Sequence, residues 1–153
     1  MNSLELKIPP GALVLLAALG MLLVSSTTPS LGFQLPYNQG VAIAFLIFGV
    51  AVSLLGVVSF RIAKTTVNPT KPQATSTLVS TGIYRFSRNP MYLGFLFALV
   101  GLAALLSNVL ASLFVPAFMI YMNRFQIAPE ERVLTEIFGS DFQSYKERVR
   151  RWA

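Results

Sequence analysis

The sequence predicts an all-α, polytopic membrane protein with about four transmembrane helices and amphipathic helices toward its C-terminal end. Three observations carry that reading. The chain of 153 residues is 54% hydrophobic and only 12% charged. Its charges fall in three groups, at residues 5–7, 61–88 and 124–151, so the windows 8–60 and 89–123 carry none. At about 1.5 Å of rise per residue, each window is long enough for two crossings of a hydrocarbon core about 30 Å thick. A soluble helix of this size keeps charges on its wet face, and these stretches have no such face.

The first window divides at a polar, turn-rich stretch, Ser25 to Gly32 and on to Asn38, which leaves spans over residues 10–24 and 40–60. Residues 1–26 have the length of a secretory leader with 11–24 as its apolar stretch. Glu5 and Lys7 cancel each other, Pro9-Pro10 interrupts the approach, and no clear Ala-x-Ala site follows, so a retained span is expected. In the second span Gly49, Ser53 and Gly56 lie on one helix face, a stripe that lets backbones approach closely in lipid. Residues 61–82 form a polar connection. The second window splits at Ser107-Asn108 into a tight hairpin of helices over 91–106 and 109–124, with Pro116 kinking the second arm. Pro129 then reads as the first turn of a new helix carrying Glu130 and Glu131 at its positive end, stopped by Phe138-Gly139. Ser140 to Gln143 reads as a capping box for a last helix, on which Phe142, Tyr145, Val149 and Trp152 make an apolar stripe suited to a membrane interface.

Orientation follows from basic residues. The 61–88 connection holds five of them and no acid, whereas 25–39 is uncharged. The positive-inside rule puts that connection and both termini in the cytoplasm. The net charge of +6 is therefore assigned to topology and anionic lipid, with the bilayer and not nucleic acid as partner.

Missing residue types exclude chemistry. Without Cys there is no thiol nucleophile, disulfide framework or thiolate metal site, and without His no imidazole base or His-ligated haem. No metal site is expected. Proton transfer is left to carboxylates, Tyr, Lys or water.

Chemistry concentrates in the segment from Leu78 to Gly94, where arginines and aromatics gather at the entrance to a helix that Pro90 can start. Arg85 and Arg88, with the free N–H groups of that helix start, suit a carboxylate or phosphate. Tyr84, Phe86 and Tyr92 suit a flat ring or a cation. The equal arms of the hairpin return Glu130 and Glu131 to the same face, adding a carboxylate for an ammonium group. Together these groups form a recognition pattern for an amino acid.

The ordered run Leu78-Val79-(x)2-Gly82-Ile83-Tyr84, Arg88-Asn89-Pro90-Met91-Tyr92-Leu93-Gly94, Glu130-Glu131-(x)2-Leu134-(x)3-Phe138-Gly139-(x)5-Tyr145-(x)3-Val149-(x)-Arg151 resembles the C-terminal half of the integral membrane methyltransferases. These include the isoprenylcysteine carboxyl methyltransferases and the phospholipid N-methyltransferases. The resemblance implies S-adenosylmethionine bound at the cytoplasmic interface and a lipophilic small-molecule acceptor arriving from the membrane. It implies a cofactor site lined by Gly82, Ile83, Tyr84, Arg88, Asn89, Pro90, Tyr92, Glu130 and Glu131. Within one integral membrane domain, 1–153, residues 1–60 are then a two-helix frame and 61–153 the methyltransferase-like half. Two positions depart from the pattern. Asn89 stands where the family usually has His, and Gln126 where the prenylcysteine enzymes tend to have Arg, with Arg124 two residues earlier. Both count against a prenylcysteine acceptor.

Methyl transfer needs alignment and exclusion of water more than a base, unless the acceptor carries a proton. The catalytic candidates are then Glu131 first, with Glu130 and Arg124 beside it. A membrane reductase with NADPH in a similar pocket is the alternative, disfavoured by the acidic pair. A non-enzymatic scaffold or transporter is the other, and spans without ionisable residues disfavour an ion pathway.

Overall fold

The computed structural model describes residues 5–64 and 75–153. The described residues are helical, with no strand beyond one isolated bridge between Gly32 and Asn108. The polar connection expected at 61–82 lies partly outside the described residues.

Helix α1, Pro10–Thr27, starts on a proline whose missing N–H costs nothing in a first turn. It ends where the hydroxyls of Ser26, Thr27 and Thr28 bond back to the carbonyls of Leu23 and Val24, just before Pro29. Helix α2, Asn38–Ile62, has 25 residues and a length of roughly 37 Å. Both are long and apolar enough to cross a membrane. Neither resembles the core helix of a soluble protein, because Leu15, Leu16, Leu19, Leu23, Ile43, Ile47 and Leu54 are all exposed. A surface of that kind belongs against hydrocarbon.

Helix α3, Pro90–Leu106, runs antiparallel to α2 at very short range. A Cβ on Gly49 would stand 2.5 Å from the Gly94 carbonyl oxygen, and one on Gly101 would stand 2.9 Å from that of Ala42. Ser53 Oγ completes the contact by donating to the Met91 carbonyl at 3.1 Å. The small-residue stripe is thus a packing seam. Ser107, in the left-handed region at φ 45°, turns the chain, and Asn108 caps α4, Val109–Ser112, by accepting from the Ala111 N–H.

The second hairpin arm differs from the single kinked helix expected over 109–124. It breaks at Leu113, because Pro116 has no N–H for the Ser112 carbonyl, and resumes as α5, Phe114–Tyr121. Pro129, Glu130 and Glu131 fall in the first turn of a helix as expected, but that helix has no free start. The chain continues through a π-helical turn, Met122–Ile127, into α6, Ala128–Arg148. Pro129 cannot bond the carbonyl of Phe125, four residues back, and the N–H of Leu6 takes that oxygen instead at 3.0 Å. Beside it Arg132 pairs with Glu5 at 2.6 Å.

Gly139 bends α6 as expected of a stop, with φ 51° and ψ −121°. The stripe beyond it does not lie at an interface. The bend folds Phe142, Tyr145 and Val149 onto Val79 and Tyr84, where all five are buried. Trp152, past the helix end, packs on the cluster around Met21 and Met122 and donates to Asn123 Oδ1 at 3.0 Å.

Candidate active site

Three pieces of chain meet where α3 begins: the 78–89 segment, the first turn of α6, and the tail after Arg148. Gly82, at φ 61°, opens a 3-10 turn, Gly82–Arg85, that inserts Tyr84 into the core. The Tyr145 hydroxyl donates to the Tyr84 carbonyl at 2.7 Å, and Phe60 meets the Tyr84 ring edge-on. Burial pushes the pKa values of both tyrosines above the ordinary phenol value. Arg85 and Phe86, expected alongside, are exposed.

Arg88 is 11% exposed and almost fully committed. Its N–H donates to the Arg150 carbonyl, one terminal nitrogen donates to the carbonyls of Lys146 and Val149, and the other meets Glu131 Oε1 at 2.7 Å. Its Nε is buried without a partner. Arg151 closes on the same carboxylate, with Nε 3.2 Å from Oε1 and a terminal nitrogen 2.6 Å from Oε2. For Glu131 burial alone raises the pKa, but hydrogen bonds and charge from Arg151 and Arg88 outweigh it and hold it below the ordinary value.

Asn89 has φ −131° and ψ 55° rather than the extended conformation expected before a proline. Its side-chain amide donates to the Arg151 carbonyl at 2.9 Å, and buried Ser87 donates to the same oxygen and accepts from the Asn89 N–H. Pro90 is buried at the first position of α3, which places Tyr92 one step inside. The Tyr92 hydroxyl donates to Glu130 Oε1 at 2.6 Å, and the amide of buried Gln126 donates to the same oxygen at 2.5 Å. Among the described residues Glu130 has no ion pair. Burial pushes its pKa up to about 7, against the lowering effect of those two hydrogen bonds.

The structure therefore brings together Tyr84, Arg88, Asn89, Pro90, Tyr92, Glu130 and Glu131, with Gly82 and Ile83 on the adjoining turn. It does not bring Arg124 to them: that residue is exposed, with its guanidinium 5.7 Å from the Phe125 ring centre. Arg88 and Glu131, expected to take the carboxylate and the ammonium group of an amino acid, are bonded to each other. The sequence reading missed the parts played by Gln126, Arg151, Tyr145 and Ser87. Arg151 closed the motif run, which was the one signal available for it. Among the described residues no cluster of side chains suits a metal ion.

Residues 37–141 match the family described as phospholipid methyltransferase, well over half of the chain. The chain belongs to the phospholipid methyltransferase family. An uncharacterized protein of Haemophilus influenzae is 45% identical over 62 residues, 40% of this chain and 98% of that one. The protein-S-isoprenylcysteine O-methyltransferase of Saccharomyces cerevisiae is 37% identical over 83 residues, 52% of this chain and 34% of its own. Methanethiol S-methyltransferase 1 of Bradyrhizobium diazoefficiens is 36% identical over 67 residues, 44% of this chain and 22% of its own. The chain thus spans about a third or less of these two named enzymes. No solved structure matches. Family and relatives together indicate a membrane methyltransferase and support the integral membrane methyltransferase resemblance of the sequence.

Proposed function

We propose that the protein transfers a methyl group from S-adenosylmethionine to a lipophilic or membrane-delivered small-molecule acceptor. The site would lie at the cytoplasmic face of a single multi-pass domain, in which α1 and α2 frame the methyltransferase half. The observation that carries the reading is the unpartnered, buried Nε of Arg88 beside a carboxylate held by two arginines. A buried guanidinium N–H without an acceptor favours a ligand that supplies one.

The donor set fits an adenosyl amino acid. Arg88 would take its carboxylate, Glu131 its ammonium group, and Tyr84 and Tyr92 its flat and cationic parts. Gly82, Ile83, Asn89 and Pro90 would supply the surrounding backbone. When bound, S-adenosylmethionine supplies an electrophilic sulfonium methyl. The chain's own work is to orient and to exclude water, which the burial of Tyr84, Gln126 and Pro90 supports. Glu131, held charged by two arginines, is a weak base, which moves the base assignment away from it.

Calorimetry with S-adenosylhomocysteine on the purified protein in detergent tests this reading. Binding is expected, with Arg88→Ala and Glu131→Ala each weakening it at least tenfold and NADPH giving no heat. Unchanged affinity in both variants would sink the assignment.

A further inference from the structure

Glu130 and Glu131 are adjacent but differently surrounded. Both arginines of the site face Glu131. Facing Glu130 are the Tyr92 hydroxyl from α3, the Gln126 amide from the π-helical turn, the Tyr84 ring system from the 3-10 turn, and the neighbouring carboxylate of Glu131. The hydrogen bonds from Tyr92 and Gln126 converge on Oε1, and Oε2 takes none from the described residues. We propose that Glu130 accepts the proton of the methyl acceptor through Oε2, so that the acceptor is a protic nucleophile, a thiol or an amine, and not a carboxylate. The inference rests on the methyl-transfer reading above.

A carboxylate acceptor needs no base, and it would enter beside two carboxyl groups whose nearby arginines already face Glu131. A protic acceptor has the opposite requirements. It needs a buried base bonded by neutral donors alone, because a paired cation would suppress basicity. The π-helical turn supplies that arrangement by presenting a neutral amide, Gln126, at the position one turn before Glu130. Burial holds the carboxyl near the pH at which a general base is most effective. In the step, the acceptor's X–H proton passes to Glu130 as the freed lone pair on X forms a bond to the methyl carbon. The carbon–sulfur bond breaks with its electron pair on sulfur, so a sulfonium and a carboxylate become a neutral thioether and a neutral acid. The proton then leaves to solvent.

The test uses the full chain in detergent and three probes that share one alkyl body: dodecanethiol, N-methyldodecylamine and dodecanoate. Labelled methyl is expected on the thiol or the amine, at a rate rising about tenfold per pH unit below pH 7 and level above it. Glu130→Gln should lower turnover at least a hundredfold, and saturating S-adenosylmethionine should not restore it. In the ligand-free protein, the infrared band of the protonated Glu130 carboxyl should titrate near neutrality. Tyr92→Phe, which removes a donor that favours the carboxylate, should move that midpoint and the break in the rate profile upward. Methylation of dodecanoate, absence of transfer to both protic probes, unchanged turnover in Glu130→Gln, or its restoration by saturating S-adenosylmethionine would each overturn the proposal. Failure of the unaltered protein to bind S-adenosylhomocysteine would instead overturn the methyl-transfer reading beneath it.

Discussion

Because burial raises the Glu130 carboxyl to about 7 from an ordinary 4.5, the folded protein holds that proton more tightly than the unfolded chain does. Stability therefore falls as pH rises from about 4.5 through 7 and is level above, a loss of up to about 3 kcal/mol. Glu131 has the opposite sign: its depressed pKa makes stability fall only as pH drops below the ordinary carboxylate range, outside the window of Glu130. Thermal unfolding in detergent at pH 5.5 and pH 8 should show the unaltered protein less stable at the higher pH, and Glu130→Gln should remove the difference. At this scale the sequence was half legible. The residue types that make an amino-acid site were visible in Arg88, Tyr92 and the acidic pair. What was hidden is the division between two adjacent carboxylates, which depends on Arg151 reaching back across 20 positions to Glu131 and on a glutamine one turn upstream.

Among the elements, proline explains both what was readable and what was not. Pro10 and Pro90 start α1 and α3 where the pattern places them, because a first-turn proline lacks only an N–H the helix does not use. Pro129 gives the same signal and means something else: α6 is entered from a helix already running, and the missing N–H frees a carbonyl inside it. No periodicity separates these cases, since each proline stands ahead of a stretch that reads as helix. Gly139 was readable as a stop, but the direction of its bend was not, so Phe142, Tyr145 and Val149 read as facing lipid when they face Tyr84. Pro129→Ala restores the N–H to Phe125 and competes with Leu6 for its carbonyl. Hydrogen exchange at the Leu6 amide should quicken at least tenfold, with the 122–127 turn tightening toward an α-helix; unchanged exchange would contradict this account of the π-helical turn.

For the whole molecule, the charge-free windows were enough to announce an apolar exterior, because lipid-facing helices need no polar face and α1 and α2 present leucine and isoleucine outward. The absence of cysteine makes the proposed orientation easy to check. In the native, cysteine-free background, a cysteine at the exposed Gln34 should react with an impermeant maleimide added to intact cells, and one at the exposed Ser140 only after permeabilisation. The reverse pattern would invert the positive-inside assignment. The N-terminal tie has a consequence for biogenesis. Glu5 joins Arg132 across 127 positions and Leu6 joins Phe125, so residues 5–6 cannot settle until the 125–132 segment has been made. Contacts of such long range form late. The Glu5–Leu6 segment thus docks beside the acidic pair only when α6 has been made, and a chain truncated before Arg132 keeps α1 but leaves Glu5 without its partner.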